Sequence, residues 1–113
     1  MTYKEVKTLI AGFGLPYAYY QFEEDTAKPP PFICFYYPSS SDFLADDSNY
    51  QKIRTLVIEL YTDEKDFSLE ETIETGLLTN GLVFTRAETY LEDEKMFEVT
   101  YEISLIITEE QNG

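Results

Sequence analysis

Apolar and polar positions change period several times along this chain, and each change marks an element. Thr2 and Glu5 form a capping-box pattern, and Val6, Leu9, Ile10 and Phe13 follow at the spacing of one helical face. Gly12 and Gly14 supply a stop, and Pro16 forbids continuation, so a first helix of about ten residues is expected. Tyr17 to Phe22 is β-prone and predicts a short strand. Glu23 to Pro30 is polar, and Pro29-Pro30-Pro31 is a stiff, extended run that leads into a strand over Phe32 to Tyr37. In that strand Ile33, Phe35 and Tyr37 oppose Phe32, Cys34 and Tyr36, so both faces are apolar and should be covered or lie at an interface. Pro38 to Asn49 lacks periodicity and is expected to be an irregular loop or a loose hairpin arm.

Tyr50 to Tyr61 predicts a long strand, with Leu56, Ile58 and Leu60 on one face and Ile53, Val57 and Tyr61 on the other. Ser68 and Glu71 repeat the capping-box pattern, and Leu69, Ile73 and Leu77 give a second helix its apolar stripe. Asn80-Gly81 closes it. Leu82 to Leu91 and Met96 to Thr108 predict two strands around a polar turn, Glu92-Asp93-Glu94. The last strand alternates strictly: Phe97, Val99, Tyr101, Ile103, Leu105 and Ile107 inward, Glu98, Thr100, Glu102 and Ser104 outward. Glu109 to Gly113 is expected to fray. The fold class is therefore α+β, one domain over residues 1–113, with two helices on a mainly antiparallel or mixed β-sheet in the order α-β-β-β-α-β-β. The second helix could make a right-handed crossover to a parallel neighbour, or both helices could simply cover one face of an antiparallel sheet.

Composition narrows the function. Twenty-two acidic residues face eight basic ones, for a net charge of −14 on 113 residues, with no histidine and one cysteine. Such a surface repels phosphate backbones and anionic headgroups and attracts basic protein surfaces, so ordinary nucleic-acid binding is not expected. The ten tyrosines and eight phenylalanines suit half-buried sheet faces and protein interfaces, although core packing alone can account for them. Cys34 has no internal disulfide partner and, inside Pro31-Phe32-Ile33-Cys34-Phe35-Tyr36, reads as a small buried hydrophobe. Leu9 to Tyr20 resembles a signal h-region, but Pro16 and the tyrosines interrupt it and no cleavage site follows, so the chain reads as cytosolic at synthesis.

Without histidine no Ser-His-Asp or Cys-His site can be built, so Ser39-Ser40-Ser41 reads as loop. One cysteine and no histidine cannot supply a structural zinc site. Gly12-Phe13-Gly14 ends a helix, whereas phosphate cradling needs glycines that lead into one. Asp42, Asp46 and Asp47 cluster in one segment, but without the glycine and terminal glutamate of an EF-hand loop they read as a solvated acidic loop. No catalytic constellation and no cofactor or metal site is expected.

Four stretches carry a resemblance. The helix ending in Gly14-Leu15-Pro16, Phe22-Glu23-Glu24 followed by Pro29-Pro30-Pro31-Phe32-Ile33, Ile58-Glu59-Leu60-Tyr61-Thr62-Asp63, and Glu88-Thr89-Tyr90 with Tyr101-Glu102 belong to it. Together they resemble small head–tail region proteins of long-tailed, siphophage-type phages and prophages of Gram-positive bacteria, of the tail-terminator, tail-completion or head–tail joining type. The resemblance implies an α+β subunit that forms a ring, commonly hexameric, which caps the tail tube and docks to the head connector. Its partners would be further copies of itself, the tail tube protein and connector proteins. It would be found first in the host bacterial cytoplasm and then in the virion. No enzymatic residue transfers.

Ring subunits need two different lateral surfaces in a closed heterologous contact. The two-sided strand and the loop after it nominate Tyr36, Tyr37, Phe43 and Leu44 as subunit-interface residues, although Phe43 and Leu44 could equally fold back on their own core. Surplus carboxylates suit a channel wall along which DNA slides. The rival from another class is an acidic inhibitor that mimics DNA. Same-face neighbours on the last strand lie about 6.7 Å apart, but only alternate ones are acidic. A carboxylate-based hydrolase is the third and least supported option.

Overall fold

The computed structural model describes residues 1–23, 27–40, 43–45 and 49–108, with the side chains of residues 43–45 and 49–51 left aside. Asp42, Asp46 and Asp47 and the tail from Glu109 lie outside the described residues. The elements are α1 (Tyr3–Ala11), β1 (Tyr17–Tyr19), β2 (Phe32–Ser40), β3 (Phe43–Ala45), β4 (Asn49–Thr62), α2 (Phe67–Thr79), β5 (Phe84–Leu91) and β6 (Met96–Ile107). The expected order holds, with the three-residue β3 added inside the segment expected to be an irregular loop or a loose hairpin arm, and paired antiparallel with β4.

Both helix ends follow from local hydrogen bonding. The Glu5 N–H donates to the Thr2 hydroxyl and the Thr2 N–H to the Glu5 carboxylate, each at 3.0 Å, so the capping box forms. Past Gly12 the chain leaves the helix through Gly14, whose φ of 79° is the left-handed conformation glycine adopts without a Cβ penalty. At α2 the expected Ser68–Glu71 capping box does not form. The N-cap is Asp66, whose carboxylate accepts from the Leu69 N–H at 3.0 Å and whose charge suits the positive end of the helix dipole. Ser68 lies within the first turn, where its carbonyl accepts from the Thr72 hydroxyl. The C-terminus is a Schellman motif: Leu82 N–H to Leu77 O and Gly81 N–H to Leu78 O, both 2.9 Å, with Gly81 at φ 72°.

The sheet order is β1-β2-β4-β6-β5, with β3 paired to the N-terminal end of β4. β4 is the spine. Its 14 residues reach about 46 Å at about 3.3 Å each, nearly the 51 Å long axis of the molecule. β1 and β2 are parallel and every other pair is antiparallel, so the sheet is mixed. β4 and β5 run the same way but β6 lies between them, so α2 does not lead to an adjacent parallel strand.

β2 continues past Tyr37, where the loss of periodicity predicts its end. Tyr36 pairs with Val57 and Ser39 with Thr55, so Tyr37 and Pro38 together face Leu56 in a bulge. A bulge leaves one residue out of the ladder, and Pro38, which has no N–H, fits there. The Pro30–Pro31 peptide is cis, so the proline run is not one continuous extended rod.

Both helices cover one face of the sheet. Val6, Ile10, Ile73 and Leu77 pack on Ile33, Phe35, Leu56, Ile58, Leu60, Val99, Tyr101, Ile103, Leu105 and Ile107, all buried. The expected alternation of β6 holds from Val99 to Ile107, while Phe97 is half-buried. A fully buried aliphatic side chain is worth about 1.5–3 kcal/mol relative to exposure, so this layer holds the sheet in place. The opposite, open face of the sheet lies away from both helices.

Candidate assembly interface

The β1–β2 edge is built from rings. On the helix side Tyr19 meets Phe35 edge-on at 5.3 Å between centroids, and Tyr37 meets Tyr3 edge-on at 5.1 Å. With Lys7 and Tyr17 they line a groove of about 600 Å³ between α1 and β1. The Tyr37 N–H donates to the Tyr19 hydroxyl at 3.4 Å. The Tyr37 hydroxyl is shut away from solvent and has no hydrogen-bond partner among the described residues. Burial, with smaller contributions from Tyr3 and Tyr19, pushes this phenol up to about 12. It therefore carries its proton at any physiological pH.

Tyr36, the next residue, points to the open face. Its ring stacks on Tyr20 at 4.6 Å, and its hydroxyl lies 3.4 Å from Glu59 Oε2. Phe32 stacks on Tyr61 at 4.8 Å, with Phe22 edge-on to Phe32. At the centre the Tyr61 hydroxyl stands 2.9 Å from Glu59 Oε1 and 2.8 Å from Glu98 Oε2. One hydroxyl has one proton and can donate to only one carboxylate at a time. The second short contact is attractive only when a carboxyl group brings a proton of its own.

Burial raises Glu59 above the usual carboxylate range, and Glu98 adds to the rise; the hydrogen bonds from Tyr61 and Tyr36 offset part of it. Tyr61 is itself raised, by burial first and then by its hydrogen bond to Glu98. The arrangement favours a proton on Glu59 where its carboxyl meets the Tyr61 hydroxyl. Beside it, opposite Glu59 in register, Cys34 is only 4% exposed, and burial, then Glu59 and Glu98, pushes its thiol up to about 11. It is a thiol, not a thiolate, as a small buried hydrophobe should be.

Tyr36 and Tyr37 thus serve opposite faces of one strand. Phe43 and Leu44 sit on β3, paired in register with Gln51 and Tyr50 of β4, and their side chains lie outside the description. The Glu59–Tyr61–Glu98 group was not anticipated from sequence. Glu59 and Tyr61 share a face by simple alternation, but Glu98 joins them only through the register that pairs it with Tyr61.

A second unanticipated cluster ties α2 to the sheet. Glu70 is 3% exposed and accepts from both Lys65 and Arg86. Arg86 also reaches Glu88 at 3.1 Å and approaches Glu74 at 3.7 Å, Lys65 bonds Glu88, and the Tyr101 hydroxyl donates to Glu74 at 2.8 Å. Burial works to lower Lys65, but hydrogen bonds to Glu70 and Glu88 outweigh it and leave Lys65 raised. The hydrogen bond from Lys65 lowers Glu88 in turn. No group of three or more metal-ligating side chains occurs among the described residues.

No protein-family model matches the chain, and no curated protein matches it. Among solved structures it is similar to a chain from the virion of a native gene transfer agent particle. The two are 14% identical, the match covers 93% of this chain and 90% of that chain, and the TM-score is 0.63. The likeness is one of fold.

Proposed function

We propose that this chain is a virion structural subunit of the head–tail junction of a phage-like particle, of the tail-terminator, tail-completion or head–tail joining type. In this reading several copies form a ring, commonly of six, that caps the tail tube and docks to the head connector. The protein acts by fitting against copies of itself, the tube protein and connector proteins, and no catalytic step is involved. One observation carries the reading: a fold match that runs nearly end to end with a gene transfer agent virion chain. The ring-rich β1–β2 edge supports it, because uncharged aromatic surface is what a chain of net charge −14 can present to its own copies. In the same reading surplus carboxylates line the channel and keep DNA from sticking to its wall. No helix among the described residues is long and apolar enough to cross a membrane.

The rival reading, a DNA mimic, draws no support from the open face of β6. There Glu98 and Glu102 alternate with Thr100 and Ser104, and the row ends at Ile106. Inactivating the gene in a producing strain and imaging the lysate tests the proposal. The expected result is heads without joined tails, or tails of irregular length, restored by adding purified protein. Normal particles with capped tails would overturn it.

A further inference from the structure

The two edges of the sheet are finished very differently. β1 is three residues long, preceded by Pro16 and followed by Tyr20 at φ 71°, so that edge is short and blunted. β5 closes the other end of the sheet with eight residues in unbroken register with β6, without a bulge, a proline or a lysine. Thr85 to Tyr90 are all exposed. One flank of a terminal strand offers a row of unpaired N–H and C=O groups, and proteins normally guard a long straight edge of that kind.

The residues of β5 are arranged symmetrically about Ala87. They run Phe84-Thr85-Arg86-Ala87-Glu88-Thr89-Tyr90. We propose that β5 pairs antiparallel with β5 of a second copy, centred on Ala87, and joins two sheets into one across a two-fold axis. Both sets of helices then lie on the same side. In this register Arg86 faces Glu88 of the second copy and Glu88 its Arg86. Phe84 faces Tyr90, Thr85 faces Thr89, and Ala87 faces itself. Aromatic, hydroxyl and opposite-charge pairs are the cross-strand combinations that stabilise antiparallel sheets.

The neighbouring registers are disfavoured by charge. To keep each side chain on its own face the pairing shifts two residues at a time, which moves the axis by one residue. It then falls on Arg86 facing Arg86, or on Glu88 facing Glu88, and like charges directly opposite repel. The register centred on Ala87 also brings Val83 opposite Leu91 at both ends. Val83 is 77% exposed, the highest value among the described large hydrophobic residues. The pair gives it a cover.

This two-fold contact closes on two copies, whereas a ring needs a head-to-tail contact. It is therefore a state of the free subunit, and it does not depend on the head–tail reading. Sedimentation of the purified protein across the micromolar range should show a monomer–dimer equilibrium. Ala87→Lys, which sets two ammonium groups against each other at an exposed position, should weaken it by at least tenfold while leaving the thermal midpoint nearly unchanged. Under mild oxidant Ala87→Cys should cross-link to itself, and Thr85→Cys alone should not, because its opposite residue is Thr89. A mixture of Thr85→Cys and Thr89→Cys should cross-link as mixed dimers. A monomer at every concentration, or Thr85→Cys joining to itself as readily as Ala87→Cys, would overturn the proposal.

Discussion

Tyr37→Phe removes a single oxygen, and the structure fixes the sign of its effect. The Tyr37 hydroxyl is closed off from solvent and lacks a partner among the described residues, while its ring packs on Tyr3 and Tyr19. A buried polar group without a partner costs about 1–3 kcal/mol. The ring is half-buried and borders an open groove, so the low end applies and the gain on deletion is about 1 kcal/mol. For a chain of this size that raises the thermal midpoint by about 4 °C. Scanning calorimetry at pH 7 measures it.

The pH dependence separates this cause from simple repacking. The folded state holds the phenol proton up to about 12, against 10.0 for a free phenol. The stability this proton contributes is complete below pH 10 and lost as pH rises from 10 to 12. Wild type loses it and the variant has none to lose, so the gap between them should widen above pH 10. If the midpoint instead falls by several degrees at pH 7, the hydroxyl has a partner and the reasoning is wrong.

Two further substitutions probe other parts of the structure. Glu59 is raised by burial, so its proton favours the folded state below the unfolded value of 4.5 and that stability is lost as pH rises through the folded value. Glu59→Gln removes the charge and keeps an acceptor for Tyr61; urea midpoints should show it more stable than wild type at pH 7 and equal to it near pH 4, and a less stable variant at pH 7 would refute the burial cost assigned to Glu59. Gly76→Ala should gain about 1 kcal/mol of helix propensity but set a Cβ 2.7 Å from the Phe13 ring. Overpacking costs about 1–3 kcal/mol, so the net effect should be a loss of about 1 kcal/mol that reverses in a Phe13→Leu background; a gain in the wild-type background would show that the ring moves freely.

Local pattern made much of the fold legible. β6 was readable because one face is buried, which forces strict alternation on Val99, Tyr101, Ile103, Leu105 and Ile107. Thr2 and Glu5 were readable because a capping box closes within four residues. Two other features turned on competition between local rules. Asp66 and Ser68 are both good N-caps, and the Asp66 carboxylate prevails on Leu69 while buried Glu70 is gripped by Lys65 and Arg86. Pro38 ends most strands but fits a bulge. The parallel pairing of β1 with β2 depends on where distant segments meet, which periodicity does not record. The aromatic edge was legible as composition and as the two-sided strand over Tyr36 and Tyr37. Its partition into a groove with an orphan hydroxyl and a Glu59–Tyr61–Glu98 trio was not, because both depend on contacts between strands.

Charge arithmetic ties these features together. A copy carrying −14 repels its own kind at every orientation unless the contact surface is locally neutral or apolar. Eight cations cannot neutralise a whole surface against 22 acids, so their placement matters. Two of them, Lys65 and Arg86, converge where α2 meets β5, against Glu70, Glu74 and Glu88. The edge that would otherwise carry unopposed glutamates therefore becomes nearly balanced. At the far edge the groove between α1 and β1 is lined by four tyrosines, Phe35, Ala18 and Lys7, with no acid among them. These are two places where a second chain of the same charge can approach without meeting acids alone, and they lie at opposite ends of the strand order. A chain with that layout is suited to contacts at either end of its sheet.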